Sequence, residues 1–248
     1  MNIIAVDEGN SRVKIARMDI KKNIILKKKT SDCDSLKKDI LQLPGSNEEA
    51  RDPVVISSVR QNGAAAQLQA SGVLAARKIH FCSAQAPLFE SHYSTNLGID
   101  RYLAILETVH RYPHHNCVII DAGTALTIEI IEKNARFTGG YILPGISIKA
   151  RALQKNADLL PQADIGFLSI KNRPPQSTGE AISAGILLET LGGIEKIISR
   201  SFPASPPDRI LTTGGFGKEL SHYIAAETQY EPDLVLYGIA RYFRQVFL

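Results

Sequence analysis

Apolar and polar residues alternate in short runs over residues 2 to 7, 11 to 18 and 23 to 29, each closed by Gly, Asn or Asp. This two-residue period predicts an antiparallel three-strand meander. A helical stretch near 33 to 43 follows, then the short buried strand "PVVISSV", an Ala-rich helix around 62 to 76 and the strand "KIHFC". The order is β-β-β-α-β-α-β, a mixed α/β half. In "LGIDRYLAILETVHRY", Ile99, Leu103, Leu106 and Val109 recur at helical spacing and form an apolar stripe.

The order then restarts. "CVIID", "ALTIEIIE" and "ARFTGGYILPG" read as a second meander, Ile146 to Asp158 and Thr178 to Arg200 as helices, "RILTTGG" as a strand entering a glycine turn, and "DLVLYGIARYFRQVF" as a closing helix. The duplication is architectural, with no short-period repeat. It divides the chain into residues 1–115 and 116–248, the last helix being free to pack back on the first half. The proline-rich stretches "RPPQS" and "SFPASPPD" read as surface loops.

Composition narrows the class. With 44% apolar and 22% charged residues in 248, the chain can bury a substantial core. No apolar run approaches the roughly 20 residues that span a bilayer, so a cytoplasmic protein without a membrane partner is expected. The three cysteines lack zinc spacing and are expected to be reduced and structural. His110, His114 and His115 gather near a helix end, a solvated terminus rather than a metal site. A net charge of +4 is too small for a nucleic-acid footprint, and the lysines of "KKNIILKKK", with no interleaved aromatics, read as a solvated hairpin face.

The chemistry sits at two turns. "IIAVDEGNSRVKIARM" and "CVIIDAGTALTIEII" each run an apolar strand into an aspartate, turn on glycine and leave as another strand. Backbone N–H groups at such a turn can form a concave anion site, and the glycines Gly9 and Gly123 permit it. Asp7 and Asp121, aimed by the sheet, can hold a divalent cation beside phosphates gathered by Asn10, Ser11 and Thr124. Two such turns, one per half, suit a triphosphate gripped from both sides. Singly, each is also an ordinary hairpin turn. The pairing, with "TTGG" after a third strand, favours nucleotide binding, since Gly214 and Gly215 allow close approach of a flat adenosine. Neither a Walker A pattern nor a strand-linked G-x-G-x-x-G occurs.

The motifs "VDEGNS", "LGIDR", "IDAGTALT", "GGYILPGI", "ALQKNADLLP" and "STGEAISAGI", in this order over nearly the whole chain, resemble the type III pantothenate kinase family. "GNSRVK" also resembles the branch that includes Bvg accessory factors. The resemblance implies duplicated ribonuclease-H-like halves of the acetate and sugar kinase/Hsp70/actin superfamily, and ATP-dependent phosphorylation of pantothenate, the opening step of coenzyme A synthesis. It further implies Mg-ATP, potassium or ammonium as monovalent cation, and a homodimer with the active site near the interface.

Phosphoryl transfer to an alcohol needs neutralised phosphates, an in-line hydroxyl and a proton acceptor. Asp7 and Asp121 take the magnesium-phosphate side. The resemblance makes Gly98, Ile99, Asp100 and Arg101 a pantothenate-binding segment with Asp100 as base, although an aspartate opening a helix is also a common cap. Arg101 suits the pantothenate carboxylate or a structural acid. Tyr93 and Thr178 match pocket positions, with packing or capping as the plain alternatives, and Thr178 is a candidate for reaching the neighbouring subunit's site. Lys14 points either at the phosphates or at solvent.

Two departures stand out. The loop "STNL" is shorter than the family's by about two residues and lacks its proline, a change that can displace Tyr93 from the pocket. Glu8 replaces an apolar or small residue, and either faces away from the phosphates or repels them. Two other readings therefore stand beside the kinase: a non-catalytic nucleotide-binding accessory or regulatory protein, and a phosphatase or kinase of another small alcohol on this fold.

Overall fold

The computed structural model describes residues 1–31, 38–40, 52–60, 63, 66, 77–85, 87–93, 96–166, 170, 173–224 and 226–248. The helices expected near 33 to 43 and around 62 to 76 lie largely outside the described residues.

In chain order the elements are β1 (Asn2–Glu8), β2 (Val13–Asp19), β3 (Ile24–Ser31), β4 (Val54–Ser58), β5 (Ile79–Phe81), β6 (Glu90–Ser91) and α1 (Ile99–Arg111). They continue as β7 (Cys117–Ala122), β8 (Ala125–Glu132), β9 (Arg136–Pro144), α2 (Ile146–Asn156), α3 (Thr178–Ser201), β10 (Arg209–Thr213), α4 (Gly217–Tyr223), β11 (Gln229–Tyr230) and α5 (Leu234–Phe247). The strand expected from residue 11 starts at Val13, because Gly9 N–H bonds to Arg12 O at 3.0 Å and keeps Ser11 and Arg12 in the turn. The helix expected to Asp158 ends at Asn156, where the Ala157 N–H closes on Leu153 O.

Two compact units emerge. Unit 1 holds Met1–Arg111 and Asp233–Leu248, and unit 2 holds Tyr112–Pro232. The last helix falls in the first unit, the packing left open for it beside the division into residues 1–115 and 116–248. Its apolar face, with Leu236, Ile239, Ala240 and Phe243 fully or nearly buried, has its partners in α1 and β1.

Unit 1 builds a sheet in the order β3-β2-β1-β4-β5, and the principal strands of unit 2 run β9-β8-β7-β10-β11. In both, the first three strands are antiparallel and the last two join in parallel. Because side chains alternate across a strand, each sheet has two faces. In unit 1, Ile4, Val6, Val13, Ile15, Val54 and Ile56 form one core with Ile40. The opposite face carries Ile3, Ala5 and Asp7, and is the one left for α1 and α5. In unit 2, Val118, Ile120, Leu126, Ile128 and Ile210 pack with Ile186, Leu187 and Ile194 of α3.

Helices α1 and α5 are fastened by chemistry as well as packing. Glu107, fully buried, accepts from Arg111 Nε at 2.8 Å and from Arg241 Nε at 3.2 Å. One carboxylate shared between two guanidinium groups leaves no buried charge unpaired. Lysines 27–29 of β3 are exposed, and Lys28 reaches Asp233 at 2.7 Å.

Candidate active site

The first turn closes tightly: a Cβ on Gly9 would lie 3.3 Å from Arg12 O. Asn10, Ser11 and Arg12 are exposed at its tip. Asp7 stands one step before, in register with Lys14 on β2 and Ser57 on β4. In-register residues share a face, so Lys14 lies on the Asp7 side of the sheet. Burial pushes the Asp7 carboxyl up to about 6; Lys14 opposes this shift and Asp100 adds to it. Asp7 is partly exposed by surface area, so its charge is poorly compensated yet reachable, a state that a bound cation relieves.

Glu8 points to the opposite face. It is fully buried and accepts from Ser58 Oγ at 2.8 Å. Its carboxylate lies against the bare Cα of Gly63, where a Cβ would meet Glu8 Cδ at 2.7 Å. Of the two readings of this residue, the structure gives the one that faces away.

Asp100 is the second residue of α1. Its Oδ1 accepts from Arg101 N–H at 2.8 Å and lies where a Cβ on Gly98 would be, at 2.8 Å. Gly98 also opens the helix, its carbonyl accepting from Tyr102 N–H at 2.9 Å. The carboxylate therefore serves the first turn of the helix while acting electrostatically on Asp7. Arg101, only 7% exposed, donates from one guanidinium nitrogen to Tyr93 Oη at 3.2 Å and sits 5.0 Å from the Tyr93 ring centre. Arg101 thus holds Tyr93 beside the Gly98–Arg101 segment. Ser94 and Thr95, in the short loop, lie outside the described residues.

In unit 2, Gly123 and Thr124 link β7 to β8 after Asp121. Gly214, with φ +85°, is in the left-handed region that favours glycine. Its own Cβ position is filled by Asp121 Oδ1 and by the Ala122 carbonyl carbon at 2.6 Å, so β7 itself is what approaches this glycine. Phe216 N–H bonds to Ala122 O at 3.1 Å, and Gly217 N–H to Gly214 O at 3.3 Å. Gly145 packs as closely on the other side, where a Cβ would be 2.5 Å from Gly123 O. Asp121, Gly123, Thr124, Gly214 and Gly215 are brought together in this way.

Thr178 is the first residue of α3 and is exposed. The capping role falls to its neighbour: Ser177 Oγ accepts from Glu180 N–H at 3.3 Å, and the Glu180 carboxylate accepts from Gln176 N–H at 3.2 Å. Capping is therefore not the reason for a threonine here.

Two further groups lie beside Asp7. The Ser57 hydroxyl is buried and has no hydrogen-bond partner among the described residues. Burial, and then the Asp7 charge, push the Cys82 thiol far up, so it is neutral near pH 7. An orphaned hydroxyl beside an under-compensated carboxylate fits a cation-phosphate site. Magnesium bound through one or two carboxylates, phosphates and water needs no larger protein cage. Among the described residues no group of three or more His, Cys, Asp or Glu side chains could hold a metal, and no helix is long and apolar enough to cross a membrane.

The chain is 33% identical over 158 residues to a type III pantothenate kinase of Colwellia psychrerythraea, covering 60% of this chain and 63% of that one. A type III pantothenate kinase of Porphyromonas gingivalis is 29% identical over 248 residues, 96% of each chain. The match thus spans less than two thirds of the former relative and nearly all of the latter. A solved Campylobacter jejuni protein, described as of the Baf family of transcriptional activators, superposes with a TM-score of 0.63 at 23% identity over 98% of both chains. The fold is α/β with two similar β-sheet domains. The model of the family described as "Type III pantothenate kinase" matches residues 3–200, and the chain belongs to that family.

Proposed function

We propose that this protein transfers the γ-phosphoryl group of ATP to the terminal hydroxyl of pantothenate, the first step of coenzyme A synthesis, on two ribonuclease-H-like halves. The observation that carries this reading lies within unit 1. Asp7, at the end of β1 beside the phosphate turn, feels the charge of Asp100 at the head of α1, so a phosphate-side and an acceptor-side carboxylate occur together.

Gly9, Asn10 and Ser11 of unit 1, and Gly123, Thr124, Gly214 and Gly215 of unit 2, are the phosphate and nucleotide contacts. Lys14, on the Asp7 face, adds a positive charge toward the phosphates. Asp7 and Asp121 are the cation-side carboxylates, with potassium or ammonium as a further ion. Magnesium, when bound, neutralises the β and γ phosphates during transfer. The Gly98–Arg101 segment binds pantothenate: Arg101 offers its planar guanidinium to the carboxylate, Tyr93 lines the pocket, and Asp100 takes the proton from the hydroxyl as it attacks.

A homodimer is part of this reading, with exposed Thr178 reaching the partner's pocket. Exposed Ile142 and Leu188 in unit 2 supply apolar surface for it. The accessory-protein reading has only a fold likeness in its favour, and it leaves the retention of Asp7, Asp100 and Asp121 without a purpose.

The test is ATP-dependent formation of phosphopantothenate with potassium or ammonium present, then with sodium in their place. Product with the former and little with the latter is expected. Asp100→Asn is expected to remain folded and lose roughly 10² to 10⁴ in turnover. Near-parent turnover in that variant would remove Asp100 from its role, and no product from folded parent protein would turn the reading toward the accessory class.

A further inference from the structure

Adjacent rungs of the β1–β4 ladder carry the same chemistry in two different states. Glu8 is in register with Ser58, and Asp7 with Ser57. On the Glu8 rung the pair is closed, with Ser58 Oγ donating at 2.8 Å. On the Asp7 rung, which faces the opposite side, Ser57 Oγ is buried, 1% of the residue being exposed, and it has no partner among the described residues. The closed pair shows that a serine on β4 can reach a carboxylate on β1 across this ladder. The open pair sits where the phosphate turn begins.

A buried hydroxyl left unpaired costs about 1–3 kcal/mol relative to one that is satisfied. Alanine would fill the site without that penalty, and a serine would lower it by turning to an ordinary partner, as Ser58 does. An orphan beside a functional carboxylate calls for a state in which it is used. We propose that Ser57 is a positioning residue of the phosphate site, its hydroxyl donating to the Asp7 carboxylate when that carboxylate holds its cation. A hydrogen bond to an ionised acceptor fixes one oxygen of Asp7 and leaves the other aimed at the ligand.

This inference rests on the reading of Asp7 as a cation-side carboxylate, and the experiment separates the two. Binding of a non-hydrolysable ATP analogue is measured by calorimetry with and without magnesium for the parent, Ser57→Ala, Ser57→Thr and Asp7→Asn, alongside their melting temperatures. Asp7→Asn is expected to lose the magnesium-dependent gain in affinity. Ser57→Ala should lose about tenfold of that gain, keep its magnesium-free affinity, and melt at or above the parent because it removes only an orphaned polar group. Ser57→Thr, which keeps the hydroxyl on a residue suited to a strand, should restore the gain.

If Ser57→Ala retains the gain within about twofold while Asp7→Asn abolishes it, the proposal falls and the Asp7 reading stands. If Asp7→Asn retains the gain, the Asp7 reading falls and takes the proposal with it. Ser57→Ala melting well below the parent also overturns the proposal, since the hydroxyl would then serve the fold.

Discussion

At the scale of single residues, Asp7 is the most consequential group. Its carboxyl is pushed up to about 6 in the folded chain against an ordinary 3.8, by burial first and the Asp100 charge further. Between those values the folded state holds more protons than the unfolded state, so this group lowers stability as pH rises through the window. At about 1.4 kcal/mol per unit, the penalty above pH 6 amounts to at most about 3 kcal/mol. Asp7→Asn should therefore melt like the parent near pH 4 and higher than it at pH 7.5. A difference independent of pH, in melting curves across that range, would contradict this account. Asp7 and the two glycine turns stand out in the sequence because each is a local pattern, whereas Asp100 is singled out only by the family resemblance, an aspartate at a helix start being also a common cap. Ser57 does not stand out, since only the register of β4 on β1 puts it beside Asp7.

At the scale of elements, helix contacts divide the glycines. A Cβ on Gly238 of α5 would meet the Leu103 carbonyl carbon of α1 at 2.6 Å, whereas nothing lies within 4 Å of one on Gly192 in α3. Gly238→Ala should cost about 3 kcal/mol by backbone overpacking, and Gly192→Ala should add about 0.5–1 kcal/mol through helix propensity. Urea unfolding of the two variants checks both signs; similar midpoints would refute the close α1–α5 crossing. The two meanders and the long helices were readable because alternation and the apolar stripe persist over enough residues. β11 and β6, at two residues each, carry no period, and α4 spans only seven. The cap at Ser177 rather than Thr178 depends on one hydroxyl, a difference that periodicity does not register.

At the scale of the whole chain, the two units repeat one strand order, but only unit 2 is continuous in sequence. The restart at residue 117 was visible; the return of α5 to unit 1 was left open, because an apolar helix face does not name its partner. A chain ending at Pro232 lacks α5 and uncovers the Asp7 face of the first sheet. In hydrogen exchange, amides of β1 and β4 should lose protection in that truncated chain while those of β7 and β8 keep it; protected β1 amides would show that unit 1 closes alone. The split bears on how the protein is made. Domains generally fold from the N-terminus as they leave the ribosome, at about 5–20 residues per second. Here the unit begun first is finished last: β1 must wait, for roughly ten seconds or more at those rates, while all of unit 2 is translated before α5 arrives. During that interval the nascent chain displays the part of the apolar sheet face that α5 covers, beside the Gly9 turn, a surface on which chaperones would be expected to act.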